Sequence, residues 1–393
     1  MSLIAGAAFF AYWFSLAALV LPTQLVEGPM VQLAGERSLA VVWFTSRPDA
    51  TQTFEVVVDG QLPRKVPIES DGTRHVARLS GLQPASKYPY TIALPNRVLA
   101  TATARTSKPA GAAFTMMVFG DSGQGSDEQN RLAARMIEHQ PDLIVHTGDL
   151  IYPGGERKHF RKRFFEPYGP LIREVNFWPS LGNHDDAKRT RGGPYREVFE
   201  LPRNGPEKQP PENNYWFEYA DARFVVLDSN VSVEVMASDL APWAERVLGE
   251  ARTTWKFVVF HHPPYTNGKH KPHQGVRDAL VPVFERTGVD VVWNGHDHLY
   301  ERTVPMRGGA AADGGVVYVV SGAGGAKLYE LKADMPSYFA SSNDDAHGFT
   351  VARVDGRTLN IRQVNIEGKV LDDWTMTKPG VGGASSAPAS AVP

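Results

Sequence analysis

The 393-residue sequence contains no cysteine. That absence excludes disulfides, thiolate zinc sites, a thiol nucleophile and a lipid anchor on sulfur. It does not by itself mark a reducing compartment, because exported proteins also fold without disulfides. A surplus of charge is missing too. Lys plus Arg number 41 and Asp plus Glu number 43, a net charge of −2. So balanced a chain offers no electrostatic basis for gripping nucleic acid or an anionic membrane surface. No internal repeat is visible. Early charge is lacking as well: none precedes Glu27, and no basic side chain precedes Arg37. The uncharged run Leu3 to Leu21 reads as a signal peptide or an uncleaved membrane anchor, residues 1–25 in all. Without flanking Lys or Arg, nothing orients it. Both readings place the remainder outside the cytoplasm, as a secreted, periplasmic or membrane-anchored protein.

What is present divides into three parts. Residues 26–106 alternate as short strands, among them Leu39–Thr45, Phe54–Val58, His75–Leu82 and Lys87–Ala93, with a turn at Asp59-Gly60. This spacing predicts a small β-sandwich. Ser107 to Gly111 reads as a linker. Residues 112–377 change to strands alternating with helices. Strands are predicted at Phe114–Phe119, Asp142–His146, Phe177–Leu181, Arg223–Leu227, Lys256–Phe260 and Val289–Trp293. Helices are predicted at Ser126–His139, near Asp239–Leu248 and at Gly275–Thr287, the first opened by a Ser126–Gln129 capping box. From Val316 onward the strands read as antiparallel. Residues 378–393 are rich in Gly, Ala, Ser and Pro and read as a disordered tail. The fold class is therefore α/β, preceded by a small all-β domain.

Polar motifs follow five of the apolar strands: Gly120-Asp121-Ser122-Gly123, Gly148-Asp149-Leu150-Ile151-Tyr152, Gly182-Asn183-His184-Asp185, His261 itself, and Gly295-His296-Asp297-His298. Ligands collect at the carboxyl ends of strands in α/β sheets. Carboxylate, phenol, amide and imidazole would thus meet at one edge, a mixture suited to iron, zinc or manganese rather than calcium. Each glycine is expected to let the backbone turn sharply at its strand end. Singly, each motif is also an ordinary turn. Their joint occurrence, in this order, carries the reading.

The five motifs resemble those of the metallophosphoesterase superfamily, and two details narrow the likeness. Gly123 stands where that superfamily usually has histidine. Tyr152 stands three residues after Asp149, as in purple acid phosphatases. The stretch His75 to Tyr90 is similar to fibronectin type III-like domains, which fits the larger purple acid phosphatases. The resemblance implies a β-sandwich catalytic domain flanked by helices. It implies that Asp121, Tyr152 and His298 bind a first metal, Fe(3+), and that Asn183, His261 and His296 bind a second, Fe(2+), Zn(2+) or Mn(2+). Asp149 bridges them. Three anionic side chains and a bridging hydroxide then set −4 against +5, which attracts a phosphate ester. The implied activity is acid phosphatase: metal-bound hydroxide attacks phosphorus in line, and the substrate is a small phosphate monoester. Asp149 and His184 are the catalytic candidates, with His184 protonating the leaving oxygen. Asn183, His184 and His270 are the substrate contacts, although His270 also reads as part of a solvated basic loop. Asp185 is expected to orient His184 or its loop. Diester or nucleotide cleavage at the same metals is the alternative within enzymes, and a non-catalytic surface-binding protein is the alternative outside them. Nucleic acid is not an expected partner. The basic stretch Arg157 to Arg163 reads as a helix face with Phe160 and Phe164 turned inward. Membrane attachment through residues 3–21 stays open.

Overall fold

The computed structural model describes residues 22–58, 60–186 and 192–379. The apolar run Leu3–Leu21, Asp59 of the Asp59-Gly60 turn and the tail from residue 380 lie outside the described residues. Among those described, no helix is long and apolar enough to cross a membrane. Lys378, which the sequence places in the tail, is tied down: its ammonium donates to Asp290 (2.7 Å) and to the Thr254 carbonyl.

Eight strands between Leu25 and Arg105 form two four-stranded antiparallel sheets. Strand periodicity explains how they pack. In Ser38–Thr45, Leu39, Val41 and Trp43 point into the cluster shared with the facing sheet, where Phe54, Tyr90 and Ile92 lie. Ala40, Val42 and Phe44 point the other way and join the core of the following α/β body. Successive side chains alternate across a strand, so one apolar run serves two cores. Polar contacts brace the same seam. Glu200 accepts from Arg74 and Arg78, both at 2.7 Å. Arg157 pairs with Glu27 and lies 4.6 Å over the Phe44 ring. The Arg157 to Arg163 stretch is thus engaged with carboxylates and backbone, and Phe160 and Phe164 are buried as the spacing predicts. Four strands escape the sequence pattern: Arg64–Val66 and Ile68–Asp71 are only three and four residues long, and the other two have visible reasons. Gly28-Pro29 interrupts Leu25–Gln32, and Arg97–Arg105 is mostly small residues.

The α/β body holds two larger sheets. The six-stranded sheet runs Phe177–Pro179, Leu143–His146, Phe114–Phe119, Gly348–Asp355, Thr358–Asn365, Val370–Thr377. The seven-stranded sheet runs Tyr215–Tyr219, Ala222–Val226, Trp255–Val259, Val291–Asn294, Val317–Ser321, Tyr300–Thr303, Phe339–Asn343. Alternation again sorts their side chains. Phe224, Phe257, Val259 and Trp293 face the core shared with the first sheet. Val225, Val258, Phe260 and Val292 face helices Ala241–Gly249, Gln274–Ala279 and Val281–Thr287. The result is two sheets face to face with helices outside.

Two local expectations change. Val317–Ser321 pairs parallel with Val291–Asn294; antiparallel pairing begins with its other neighbour, Tyr300–Thr303. An apolar run alone does not specify pairing direction. At the first helix, Ser126 caps Gln129 as predicted, but the return bond from Gln129 goes to the Gly125 amide (2.7 Å).

Candidate metal centre

Strands Phe114–Phe119, Leu143–His146 and Phe177–Pro179 are mutually parallel, as are Ala222–Val226, Trp255–Val259 and Val291–Asn294. Their carboxyl ends therefore deliver the five motifs to one edge. The seven residues expected as ligands converge there in two groups. The Tyr152 hydroxyl lies 2.9 Å from His298 Nε2 and 3.3 Å from Asp121 Oδ1, and His298 Nε2 lies 3.5 Å from the same oxygen. His261 Nε2 lies 3.0 Å from Asn183 Oδ1 and 3.3 Å from His296 Nδ1. Asp149 Oδ1 is 3.4 Å from His261 Nε2, and its carboxylate lies within 4.8 Å of that of Asp121, so it stands beside both groups. Asp121, Asp149 and His261 are buried and offer ligand atoms within 4.8 Å of one another, a group able to hold a metal ion.

The imidazoles are held from behind. His298 Nδ1 donates to the Lys327 carbonyl (2.7 Å) and His261 Nδ1 to the Thr147 carbonyl (2.9 Å). Each bond fixes a tautomer that leaves Nε2 facing the site.

The glycines do not act as expected. Among the motif glycines, only Gly148 has positive φ. Instead Asp121, Asp149 and His296 themselves take φ of 56°, 57° and 71°. This backbone disfavours side-chain-bearing residues by about 1–2 kcal/mol each. The glycines serve close approach. A Cβ at Gly182 would sit 2.1 Å from Asp149 Oδ1, and one at Gly295 would sit 2.5 Å from Asp121 Oδ2. At Gly123 it would lie 1.7 Å from the Leu150 carbonyl oxygen, so no histidine fits there, and Tyr152 is drawn in by its own amide bond to the Gly123 carbonyl (3.0 Å). The Gly-rich segment Ser321 to Gly325 packs likewise: the Gly324 amide donates to the Gly120 carbonyl and the Ala326 amide to the Asp121 carbonyl.

Electrostatics at the site follows from burial and from the charges packed together there. Burial raises the Asp121 carboxyl, while His261 opposes that rise and Asp149 adds to it. Burial also works against charge on Asp149, yet the neighbouring His261 holds it low. His261 is desolvated, but Asp149 and Asp121 lift it to about 9. Burial lowers His298 to about 4 and depresses His296, so both stay neutral, as metal binding requires. Burial followed by Asp121 and Asp149 pushes the Tyr152 phenol well up. Burial thus works against charge on both carboxyls and on the phenol beside them, and His261 is the positive group that offsets it. Oxygen and nitrogen donors held together in a buried place suit transition-metal ions.

The remaining predicted residues are close by. The His184 amide donates to Asp149 Oδ1 (2.8 Å), its Nδ1 to the Pro153 carbonyl (2.6 Å), and its ring lies 4.5 Å from Tyr152. It lines a cavity of about 830 Å³ together with Tyr152 and His298. The His270 ring lies 4.0 Å from that of His296. Asp185 accepts from the amides of Gly182, Leu150 and Ile151, so it pins the loops of Asn183 and Asp149. His262 turns away and bonds Ser229 (2.8 Å).

Sequence patterns miss several neighbours. Tyr329 stacks on His298 at 4.0 Å. Thr266, Asp297 and Glu301 form a buried knot beneath the 266–270 loop. Arg163 donates to the Tyr152 carbonyl. Tyr329, Thr266 and Glu301 lie in no motif; Asp297 sits inside the last motif and Arg163 ends the basic stretch, but nothing in either pattern shows these contacts, which arise from proximity in space.

Comparison with known proteins agrees with this geometry. Residues 114–300 match the model of the calcineurin-like phosphoesterase family. The chain is 26% identical to a nucleotide pyrophosphatase/phosphodiesterase of Hordeum vulgare, covering 66% of this chain and 82% of that protein. It is 25% identical to purple acid phosphatase 17 of Arabidopsis thaliana, covering 67% and 84%. The structure of purple acid phosphatase PPD1 from Lupinus luteus superposes with a TM-score of 0.78 at 19% identity, over 89% of this chain and 74% of that one. Residues 114–300 thus form a calcineurin-like phosphoesterase domain, and the chain is similar to purple acid phosphatases.

Proposed function

We propose that this protein hydrolyses phosphate monoesters at a two-metal centre. The observation that carries the reading is the Asp149 carboxylate, which stands beside both donor groups at once. Asp121, Tyr152 and His298 would hold the first ion and Asn183, His261 and His296 the second, with Asp149 shared. A trivalent iron suits the first place, because only a strong positive charge offsets the raised pKa of Tyr152. A divalent iron, zinc or manganese suits the second, whose donors are imidazole and amide. Ions held there supply Lewis acidity toward phosphoryl oxygen and lower the pKa of water.

The chain's own residues do the rest. His184 stands at the cavity wall with Nδ1 committed to Pro153, which leaves Nε2 to meet the ester. Its imidazolium form hands the Nε2 proton to the leaving alcohol. Asp149 accepts the His184 amide and so places that ring relative to the shared carboxylate. Asp185 keeps both loops in register through its three amide bonds. His270, beside His296, contacts the phosphate from the opposite wall.

Cleavage of diesters or nucleotides is the second reading. The Hordeum relative's name and a cavity larger than one phosphate favour it. A panel of monoesters, diesters and nucleotides separates the two. The apolar run Leu3–Leu21 supports export. The central test is metal analysis with a visible spectrum. Iron near one per chain and a broad band lost in Tyr152→Phe are expected. An Asp149→Asn variant that keeps both metals and full activity would contradict the proposal.

A further inference from the structure

The geometry points to a second anion subsite at the mouth of the cavity, formed by Lys269, Lys327 and Arg163, which selects esters carrying a second phosphate. The inference rests on the phosphoesterase reading and deepens it by naming the substrate class. All three cations line the same cavity as His184 and His298. Glu330 is the one acidic side chain among the cavity-lining residues, so the cations prevail by two charges. Lys269 and Lys327 are exposed and form no ion pair among the described residues. Arg163 spends one of its five N–H donors on the Tyr152 carbonyl and lines the same cavity. Neighbouring cations differ: Lys332 is committed to the His270 carbonyl at 2.8 Å. Free cations beside a cavity that already holds a phosphate-directed site are placed to meet further negative charge.

The aromatic geometry says what kind of charge carrier fits. The Tyr329 ring stacks on His298 with centroids 4.0 Å apart, and the Lys269 ammonium lies 4.2 Å from the same ring. Two groups that close to one centroid must occupy opposite faces. No face of Tyr329 is left to stack a base. With the Tyr329 ring between them, Lys269 and the His298 ring are no more than about 8 Å apart, within the span of a small bisphosphate. Recognition is therefore by phosphate charge, not by ring stacking.

The test uses a matched pair, propane-1,3-diol bisphosphate and propyl phosphate, on the metal-loaded full chain. Wild type is expected to favour the bisphosphate in kcat/KM, mainly through KM. In a Lys269→Met, Lys327→Met double variant that preference collapses toward one, a loss of at least roughly tenfold for each charged hydrogen bond removed. The preference should also shrink with added salt. Lys271→Met, an exposed lysine outside the cavity lining, keeps it. Titration calorimetry with the corresponding bisphosphonate and monophosphonate reads the same ratio without turnover. Equal losses for both members of the pair, or no wild-type preference while propyl phosphate is hydrolysed, overturn the subsite alone. No hydrolysis of either ester overturns the phosphoesterase reading and the subsite together.

Discussion

Replacing Glu301 by glutamine should make the protein more stable in alkali and leave it unchanged in acid. Glu301 is fully buried behind the ligand loop. The Thr266 hydroxyl lies 2.7 Å from Asp297 Oδ2 and 2.8 Å from Glu301 Oε2, and it accepts the Gly268 amide at 3.1 Å. A hydroxyl has one proton, so it cannot donate to both carboxyls. The knot closes if Glu301 is protonated: Glu301 donates to Thr266, and Thr266 donates to Asp297. The other Glu301 oxygen accepts the Asn267 amide at 2.9 Å. Burial raises the Glu301 carboxyl from 4.5 to about 7, against hydrogen bonds from Thr266 and Asn267. The folded pKa is the higher one, so the stabilisation is complete below 4.5 and is lost as pH rises through 7. A shift of that size is worth about 3 kcal/mol at 1.36 kcal/mol per unit. Glutamine reproduces the protonated pattern, with its amide nitrogen donating to Thr266, and does not titrate. Urea unfolding of both proteins at matched metal load from pH 4.5 to 8.5 measures the difference. The advantage of glutamine should grow by about 3 kcal/mol across that range, with its midpoint halfway between the two pKa values, at about pH 6, and little further change above 7. A difference flat to within about 0.5 kcal/mol would refute the protonated knot.

Gly123→Ala should be severely damaging, because its Cβ would meet backbone that cannot swing aside. Thermal unfolding should fall and the Tyr152 band should weaken together. Asp185→Asn turns an amide group toward three buried N–H donors. A loss of about 1–3 kcal/mol per unsatisfied donor is expected in denaturant, with weaker metal retention on dialysis. Phe44→Ala empties the seam between the β-sandwich and the α/β body, where Arg157 and Phe165 both pack on the ring. It should cost about 3–5 kcal/mol, and protease sensitivity between the two parts should rise.

That the seven expected residues meet at one edge was legible because their motifs follow apolar strands, and strand ends are where periodicity is easiest to read. Phe114–Phe119 and Val291–Asn294 announce themselves by burial on both faces, so Asp121 and His296 could be placed at their ends. The sandwich was legible from alternation, yet Leu25–Gln32 was hidden by Gly28-Pro29. Direction of pairing was not readable for Val317–Ser321, since parallel and antiparallel neighbours bury the same side chains. Lys269, Tyr329 and Glu301 were beyond reach for another reason. Each belongs to the site through a neighbour distant in the chain: Lys269 through Tyr329, Tyr329 through His298, Glu301 through Thr266. Contacts of that kind leave no spacing to detect.

The motif glycines explain why a pattern can be read correctly for the wrong reason. A turn-forming glycine would carry the left-handed backbone itself. Here Asp121, Asp149 and His296 carry it, and Gly120, Gly182 and Gly295 keep ordinary φ while lying against neighbouring backbone or a ligand carboxylate. Strain at three ligands lasts only if the surroundings over-determine them. The close-packed glycines are those surroundings: they let the loops approach until Thr147, Asp185 and the Ala326 amide can fix the ligands by hydrogen bonds. The site's loops are therefore held by the fold's own hydrogen bonds. Metal loading should raise the unfolding temperature more in the wild-type chain than in Asp121→Asn, which lacks one carboxylate of the proposed centre. Calorimetry showing equal gains in both would mean that the Asp121 carboxylate takes no part in holding an ion.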